Sequence, residues 1–220
     1  MRIYKFYSAQ RAREAIDRRR LKISTLNDIN DPFEFGALAA KTKAQRTGLR
    51  KARHNVMRNK GIVSFSKSWK SPLLWSHYAE NHKGVALGFD VPQELLVPVV
   101  YKEKRPKLSD YLVDPGTLTL NEDVSWALLA FKAAGWSYEE EVRLFAKLES
   151  PDRASGLYFV DFDENLVLKE LILGARYEPR QDEAWTRELK NEGVVIKTAR
   201  MAFRAFEIVE QKDQEKRKIL

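Results

Sequence analysis

The spacing between predicted strands constrains the fold of this 220-residue chain more than any other feature. Alternating apolar side chains and short apolar runs, separated by turn-forming residues, predict strands at 3–7, 21–25, 61–66, 84–89, 95–101, 138–148, 156–162, 166–173, 193–198 and 200–209. Several neighbouring strands are too close in sequence for the helical crossover that joins two parallel strands. We therefore expect an α+β fold, with a mixed, mainly antiparallel sheet flanked by short helices. Because no repeat or linker is visible, residues 1–210 should form a single domain and residues 211–220 a polar tail.

Helix start and stop signals organise the segments between the strands. Ser8 is suited to cap a first helix, and Ser71-Pro72 supplies an N-cap and a first-turn proline for a helix over 73–81. Periodic apolar positions predict further helices over 37–60, 121–134 and about 180–191.

The loop Asn30-Asp31-Pro32-Phe33 is dense in turn-forming residues. The residue before a proline is conformationally restricted, and Asn and Asp side chains bond the backbone of tight turns. We expect a rigid loop beside the functional cleft, anchored by Phe33.

Residues and motifs that are absent from the sequence exclude several classes of function. The chain has no cysteine, which excludes disulfides, thiolate zinc sites and cysteine nucleophiles. It contains no G-x-G-x-x-G dinucleotide motif, no P-loop and no G-x-S-x-G nucleophile elbow. His77 and His82 would point about 140° away from each other on a helix, so we expect no metal site.

The sequence also bears on the compartment. No stretch approaches the ~18 uninterrupted apolar residues of a membrane span. The first residues lack the apolar core of a secretion signal. We therefore expect a cytoplasmic protein, in a bacterial or similar cytosol, without a membrane partner.

Positive charge is concentrated at the beginning of the chain. Residues 1–60 contain 16 Lys and Arg against 5 Asp and Glu, whereas the remaining residues contain 23 against 26. Such a region attracts anions, and a nucleic acid or a nucleotide is the obvious partner. The candidate nucleic-acid-binding residues belong to the predicted helix over 37–60 and are Arg46, Arg50, Arg53 and Arg58. The alternative is a solvated helix face without a partner, because charge alone carries no sequence information.

A short acidic segment contains the candidate catalytic residues. On the predicted strand over 138–148, alternate side chains share a face, which places Glu139, Glu141 and Arg143 together. Like charges in one row are unfavourable unless a ligand or a cation relieves them. They form either a carboxylate pair that faces a cleft and is kept ionised by Arg143, or a structural charge cluster. A carboxylate without a metal or nucleophile suits an oxocarbenium-like transition state, as in cleavage of the nicotinamide bond of NAD.

Several short blocks follow one another along the chain, namely Tyr4-Lys5-Phe6, Asn30-Asp31-Pro32-Phe33, Ser64-Phe65-Ser66, Leu74-Trp75-Ser76-His77-Tyr78-Ala79, His82-Lys83-Gly84, Tyr101, Lys132 and the segment 136–143. This combination, over roughly residues 1–175, resembles domain-of-unknown-function family 2971. That family occurs in bacteria and their mobile elements, and its name implies no activity.

Three of the blocks also fit a second, looser pattern. Tyr4-Lys5 lies on the first predicted strand, Ser64-Phe65-Ser66 on a middle strand and Glu139-Glu140-Glu141 at the start of a late one. This order resembles the ADP-ribosyltransferases, which carry Arg or His, then Ser or Tyr, then a late E-x-E on a split, mostly antiparallel sheet. Tyr4 or Lys5 stands here in place of the first Arg or His. The resemblance implies NAD as substrate, with Glu141 as the central carboxylate and Glu139 orienting the acceptor.

The same resemblance implies a pocket around the carboxylates, in which Arg143 keeps both of them ionised and the lining residues are Tyr4, Lys5, Ser64, Ser66, His77 and Tyr78. The expected function is NAD-dependent ADP-ribosyl transfer or NAD hydrolysis in bacterial conflict or phage defence, with a nucleic acid or a protein as acceptor. The alternative is a non-catalytic or nuclease-like nucleic-acid-binding protein that uses the basic region over 1–60.

Overall fold

The computed structural model describes residues 1–25, 28–34, 36–114, 119–120, 129–178 and 183–217. Numbered here in chain order, its α-helices are α1 (Ala9–Asp17), α2 (Lys43–Met57), α3 (Pro72–Tyr78) and α4 (Glu183–Asn191). Its strands are β1 (Arg2–Tyr7), β2 (Arg20–Ile23), β3 (Lys60–Ser66), β4 (Val85–Asp90), β5 (Leu96–Pro98), β6 (Val100–Lys102), β7 (Leu112–Asp114), β8 (Thr119–Leu120), β9 (Phe131–Ala133), β10 (Glu141–Lys147), β11 (Tyr158–Asp161), β12 (Val167–Leu173), β13 (Val195–Met201) and β14 (Ile208–Glu210). Short 3-10 helices occur at Gln93–Leu95, Leu108–Tyr111, Ala134–Glu139 and Gln214–Lys216.

A large sheet organises the molecule, with the strand order β14-β13-β12-β4-β1-β3-β10-β5. Its neighbouring strands are antiparallel except for β12 and β13, which are parallel. Two-stranded ribbons formed by β2 with β11, β6 with β9, and β7 with β8 accompany it. These features confirm the predicted α+β class with a mainly antiparallel sheet.

Both faces of this sheet are covered, because successive side chains of a strand point to opposite sides. On one face, Ile3 of β1 belongs to a core cluster with Ala12 of α1 and Trp185 of α4. On the other face, Phe6 of β1 packs edge-on against Trp75 of α3, with 5.2 Å between ring centroids. The sheet is therefore the middle layer between α1 and α4 on one side and α3 on the other.

The helix starts follow the capping signals of the sequence. The Arg11 amide donates to the Ser8 hydroxyl at 3.3 Å, which confirms Ser8 as the N-cap of α1. Thr42 and Gln45 form a reciprocal capping box at the start of α2. Pro72 occupies the first turn of α3 after Ser71, whose side chain makes no capping hydrogen bond. The predicted helix over 37–60 is shorter than expected, because the capping box sets its start at Lys43.

The predicted bounds of three elements are wrong, because these bounds depend on hydrogen-bonded pairing between strands that are distant in sequence or on a turn between strands. Phe131–Ala133, assigned by sequence to a helix over 121–134, pair in parallel with β6; residues 121–128 of that prediction lie outside the described part of the chain. The strand predicted over 138–148 begins only at Glu141, after a 3-10 helix and a left-handed Glu140 with φ 44°. The strand predicted over 200–209 is a hairpin of β13 and β14.

The described helices include none that is both long enough and apolar enough to cross a membrane.

Candidate functional site

A cavity of about 430 Å³, called here the central cavity, opens beside β1, β3 and β10. Its described lining residues come from these strands, α1, the segment 22–34, α3, β9 and the 3-10 helix before β10. They include Tyr4, Lys5, Tyr7, Arg11, Lys22, Asn30, Glu34, Ser64, Ser66, Tyr78, Lys132, Glu139 and Glu141. Cations, carboxylates, hydroxyls and aromatic rings thus meet at one place.

The central cavity forms where β1 and β3 separate. Their register has a single pair, Tyr4 opposite Ser66, although both strands continue. Ser66 also lies opposite Glu141 in the pairing of β3 with β10. The ammonium of Lys5 donates to the Ser64 carbonyl at 3.1 Å, next to this opening. Adjacent strands thereby bring residues that are far apart in sequence to the same cavity wall.

At the cavity wall lies a buried charge cluster of Glu34, Lys132, Glu139, Glu141 and Arg143. All five residues are at most 6% exposed, and Arg143 is completely buried. Lys132 Nζ lies 2.5 Å from a Glu139 oxygen and 3.0 Å from a Glu141 oxygen. Arg143 Nε donates to Glu141 at 2.8 Å, and its guanidinium also donates to Glu34. Buried charges paired in this way hold each other in place.

The cluster sets the ionisation of its members. Burial alone would raise the pKa of Glu141, but Arg143 and Lys132 outweigh it and lower the pKa to about 2. Burial raises the pKa of Glu34, and Arg143 offsets only part of that effect. Burial opposes the charge of Lys132, but the surrounding carboxylates raise its pKa above the ordinary value. Glu141 is therefore ionised at neutral pH.

Two tyrosines are hydrogen-bonded to the candidate catalytic glutamates, one to a side chain and one to the backbone. The Tyr78 hydroxyl donates to Glu139 at 2.7 Å, and the Glu141 backbone amide donates to the Tyr101 hydroxyl at 2.8 Å. Burial and the bond to Glu139 raise the pKa of Tyr78. Tyr78 consequently remains a hydrogen-bond donor at neutral pH.

Lys5 is a second group with altered ionisation at the central cavity. Burial lowers its pKa to about 8, and the Glu141 carboxylate opposes this shift. Its ammonium also lies 5.6 Å from the centre of the Tyr7 ring and 5.7 Å from that of Phe65. A lysine with this pKa is partly neutral near physiological pH.

The structure brings most of the predicted site residues together. The predicted residues that line the central cavity are Tyr4, Lys5, Ser64, Ser66, Tyr78, Glu139 and Glu141. Arg143 lies behind them and does not appear among the described lining residues. Glu139 is paired with Lys132, not with Arg143 as the sequence suggested, because it belongs to the 3-10 helix and not to the strand.

Two predicted positions lie elsewhere. His77 is exposed and lies near the rings of Tyr78 and Tyr138 instead of lining the central cavity, because it precedes Tyr78 by one position and is therefore turned away from it around α3, onto the solvent side. Phe33 is 56% exposed and therefore does not anchor its loop. Asp31 does stabilise the turn as expected, since its carboxylate accepts from the Phe33 amide at 2.9 Å.

Of the predicted nucleic-acid-binding arginines, Arg46, Arg50 and Arg53 lie on α2 and Arg58 is its C-cap residue, and none of the four is among the described lining residues of the central cavity. Arg46, Arg50 and Arg58 are exposed and Arg53 is half-buried.

No sequence pattern indicated the roles of Lys132 and Glu34 in the site. Lys132 belongs to the blocks that carry the family resemblance, but its predicted helix gave no reason to place it beside the carboxylates. Glu34 directly follows the Asn30–Phe33 loop and reaches Arg143 across 109 positions. The signal available for Lys132 was its position shortly before Glu139, Glu140 and Glu141, where a lysine could pair with a carboxylate.

Within the described residues, no group of three or more His, Cys, Asp or Glu side chains is arranged to hold a metal ion. The carboxylates of the buried charge cluster face protein cations instead.

Residues 74–144 match the model of a family described as protein of unknown function (DUF2971). The match includes residues 74–78 of α3, Tyr101 and four members of the site, Lys132, Glu139, Glu141 and Arg143. No curated protein and no solved structure shows a significant match to the chain.

Proposed function

We propose that the protein cleaves the bond between nicotinamide and ribose in NAD and passes the ADP-ribose to an acceptor or to water. The observation that carries this proposal is the Glu141 carboxylate, which is ionised, held rigidly and placed at the wall of the central cavity. A fixed negative charge in a water-poor site is suited to stabilise positive charge that develops on a sugar carbon.

The chemistry follows from this placement. The N-glycosidic bond breaks, its electron pair goes to the nicotinamide nitrogen, and positive charge develops on C1′ and the ring oxygen of the ribose. Glu141 stabilises that charge without needing to form a covalent bond. The acceptor oxygen or nitrogen then attacks C1′, and its proton passes to the Glu139 carboxylate, which also lines the cavity. Lys132 and Tyr78 hold Glu139 for that role.

Other lining residues complement the rest of NAD. Lys5, Lys22 and Arg11 supply positive charge for the pyrophosphate. Tyr4, Tyr7 and Tyr78 supply aromatic surface for planar rings. The strands that carry Lys5, Ser66 and Glu141 are neighbours in the sheet, so one NAD molecule could contact all three residues.

The test measures nicotinamide release from NAD by the wild type, Glu141→Gln and Glu140→Gln. Loss of one electrostatic contact to a transition state typically lowers the rate by ~10²–10³, so Glu141→Gln should lose nearly all turnover. Glu140 is exposed at the turn before β10 and is the matched control, which should retain the wild-type rate. A wild type that neither turns over NAD nor binds it by calorimetry contradicts the proposal.

A second candidate function is nucleic-acid binding without catalysis. It is favoured by α2, whose 15 residues include no Asp or Glu and expose Arg46 and Arg50. Phosphate-driven binding weakens steeply as salt increases. If this candidate is correct, Arg46→Glu, Arg50→Glu and Arg58→Glu in combination should abolish oligonucleotide binding and leave the thermal midpoint nearly unchanged.

A further inference from the structure

Two smaller cavities lie between α2 and the central cavity. The α2 cavity has a volume of about 240 Å³, and its described lining includes Arg46, Arg50, Arg53 and Arg105. The Phe33 cavity has a volume of about 230 Å³, and its described lining includes Phe33, Lys102, Lys104, Arg105 and Lys132.

Shared residues connect these cavities in series. Arg105 borders both the α2 cavity and the Phe33 cavity. Lys132 borders both the Phe33 cavity and the central cavity. The three cavities are therefore neighbours, and this row, from the α2 cavity to the central cavity with Glu139 and Glu141, is called here the path.

The walls of this path are strongly basic. Its cations, called here the basic track, are Arg46, Arg50, Arg53, Lys102, Lys104 and Arg105. Among the described lining residues of the two smaller cavities, Glu103 is the one acidic residue beside these cations. Arg53 Nε is buried and has no hydrogen-bond partner in the described part of the chain, so a bound anion would satisfy it.

The path is also rigid, and it presents an aromatic surface. Arg105 donates to the carbonyls of Gly36, Ala37 and Leu38 and thereby ties the two sides of the path together. The ring of Phe33 is 56% exposed and lies 5.7 Å from the Arg105 guanidinium. An exposed ring beside cations is the arrangement on which unpaired bases stack while phosphates are neutralised.

We infer that a single-stranded nucleic acid lies along the basic track, with a base on Phe33, and is the acceptor of ADP-ribose. This inference rests on the proposed cleavage of NAD. In the transfer, a base nitrogen bonds to C1′ of the ribose as nicotinamide leaves with the electron pair of the old bond, and the proton of that nitrogen goes to Glu139. The basic track binds the nucleic acid, and Lys132, which borders both the Phe33 cavity and the central cavity, lies between the track and the reacting groups.

The test combines a fluorescent single-stranded oligonucleotide, as DNA and as RNA, with NAD and the full-length protein. Fluorescence anisotropy gives affinity, mass spectrometry gives added ADP-ribose, and nicotinamide release is recorded in each reaction. The track variant is Lys102→Glu with Lys104→Glu. Its control, Lys169→Glu with Arg187→Glu, makes the same change in net charge on exposed residues of β12 and α4.

The track variant should lower the ratio of modified oligonucleotide to released nicotinamide at least tenfold, and the control variant should match the wild type. Phe33→Ala should weaken binding by about tenfold or more, because it removes one stacking surface. Three outcomes would overturn this inference and leave the proposed function standing. The protein could cleave NAD without modifying the oligonucleotide, it could modify protein instead, or the ratio of modified oligonucleotide to released nicotinamide could be equal in the track variant and the wild type. Absence of NAD cleavage overturns both.

Discussion

The guanidinium of Arg143, completely buried in β10, donates a hydrogen bond to the carboxylate of Glu34, which precedes it by 109 positions. This contact ties the loop that lines the central cavity to the strand that carries Glu141. The same guanidinium also holds Glu141 directly. One buried cation therefore connects the loop, the strand and the candidate catalytic carboxylate.

Replacing Arg143 should strongly destabilise the fold. Arg143→Met leaves the carboxylates of Glu34 and Glu141 with less compensation in a buried site, and breaking a buried ion pair in this way typically costs about 3–5 kcal/mol. Urea unfolding gives the free energy of unfolding for comparison with the wild type. Glu140→Gln, at an exposed position, should stay within about 0.5 kcal/mol.

The partner of Arg143 can be tested by a double-mutant cycle. Glu34→Gln removes one of the carboxylates that Arg143 compensates, so the effects of Glu34→Gln and Arg143→Met should be less than additive. Strictly additive free energies of unfolding would show that the two side chains do not interact in solution.

Stability should fall in acid because of Glu141. Its folded-state pKa is about 2, since Arg143 and Lys132 outweigh burial, whereas an ordinary glutamate has a pKa of 4.5. Between these values the unfolded chain binds more protons than the folded chain, so the free energy of unfolding decreases as the pH falls through this window. Glu141→Gln lacks this titration.

Urea unfolding at several pH values from about 5 to about 2.5 compares the two proteins. The pH-dependent loss should be smaller in Glu141→Gln than in the wild type. The raised pKa of Glu34 acts in the opposite direction, since the stability that it contributes is present at low pH and lost as pH rises through that pKa. Identical slopes in the two proteins would mean that Glu141 titrates normally in the folded state.

Lys5 should titrate well below other lysines. Burial lowers its pKa to about 8, and Glu141 partly opposes the shift. Reductive methylation with ¹³C-formaldehyde followed by NMR titration reports each lysine, and loss of one signal in Lys5→Arg identifies the Lys5 resonance. The midpoint should fall further in Glu141→Gln, because that variant lacks the negative charge that favours the ammonium. A midpoint near the ordinary 10.5 would contradict the burial of the Lys5 ammonium.

Gly84 should not tolerate a side chain. A Cβ at this position would collide with the Tyr7 carbonyl oxygen and lie 3.0 Å from backbone atoms of Ala79. Because backbone atoms cannot move aside cheaply, Gly84→Ala should destabilise the protein by about 1–3 kcal/mol or more. Gly135→Ala is the control, since nothing lies within 4 Å of the added carbon. Thermal unfolding of both variants checks the difference, and equal midpoints would contradict the close approach.

The fold class was accessible from sequence because strand spacing and apolar alternation are local signals. Ser8 was recognised as a cap for the same reason, since capping depends on neighbouring residues. The strand nature of Phe131–Ala133 was not accessible, because it depends on pairing with β6 some 31 positions earlier.

The candidate site shows the same division. Glu141 and Arg143 lie on the same face of one strand, so the alternation of side chains along a strand was enough to predict that they are neighbours. Glu139 was grouped with them for the wrong reason, because a 3-10 helix and a left-handed Glu140 bring it there. Lys132 and Glu34 reach the cluster only through tertiary packing, which single-sequence patterns do not encode.

The pairing within the buried charge cluster has a consequence for how related chains diverge. A change of sign at one of the positions 34, 132, 139, 141 or 143 leaves a buried charge uncompensated, and a second change inside the cluster is needed to restore the pairing of opposite charges. Substitutions at these five positions should therefore be inherited together, and an aligned set of homologues should show them as a group of covarying columns.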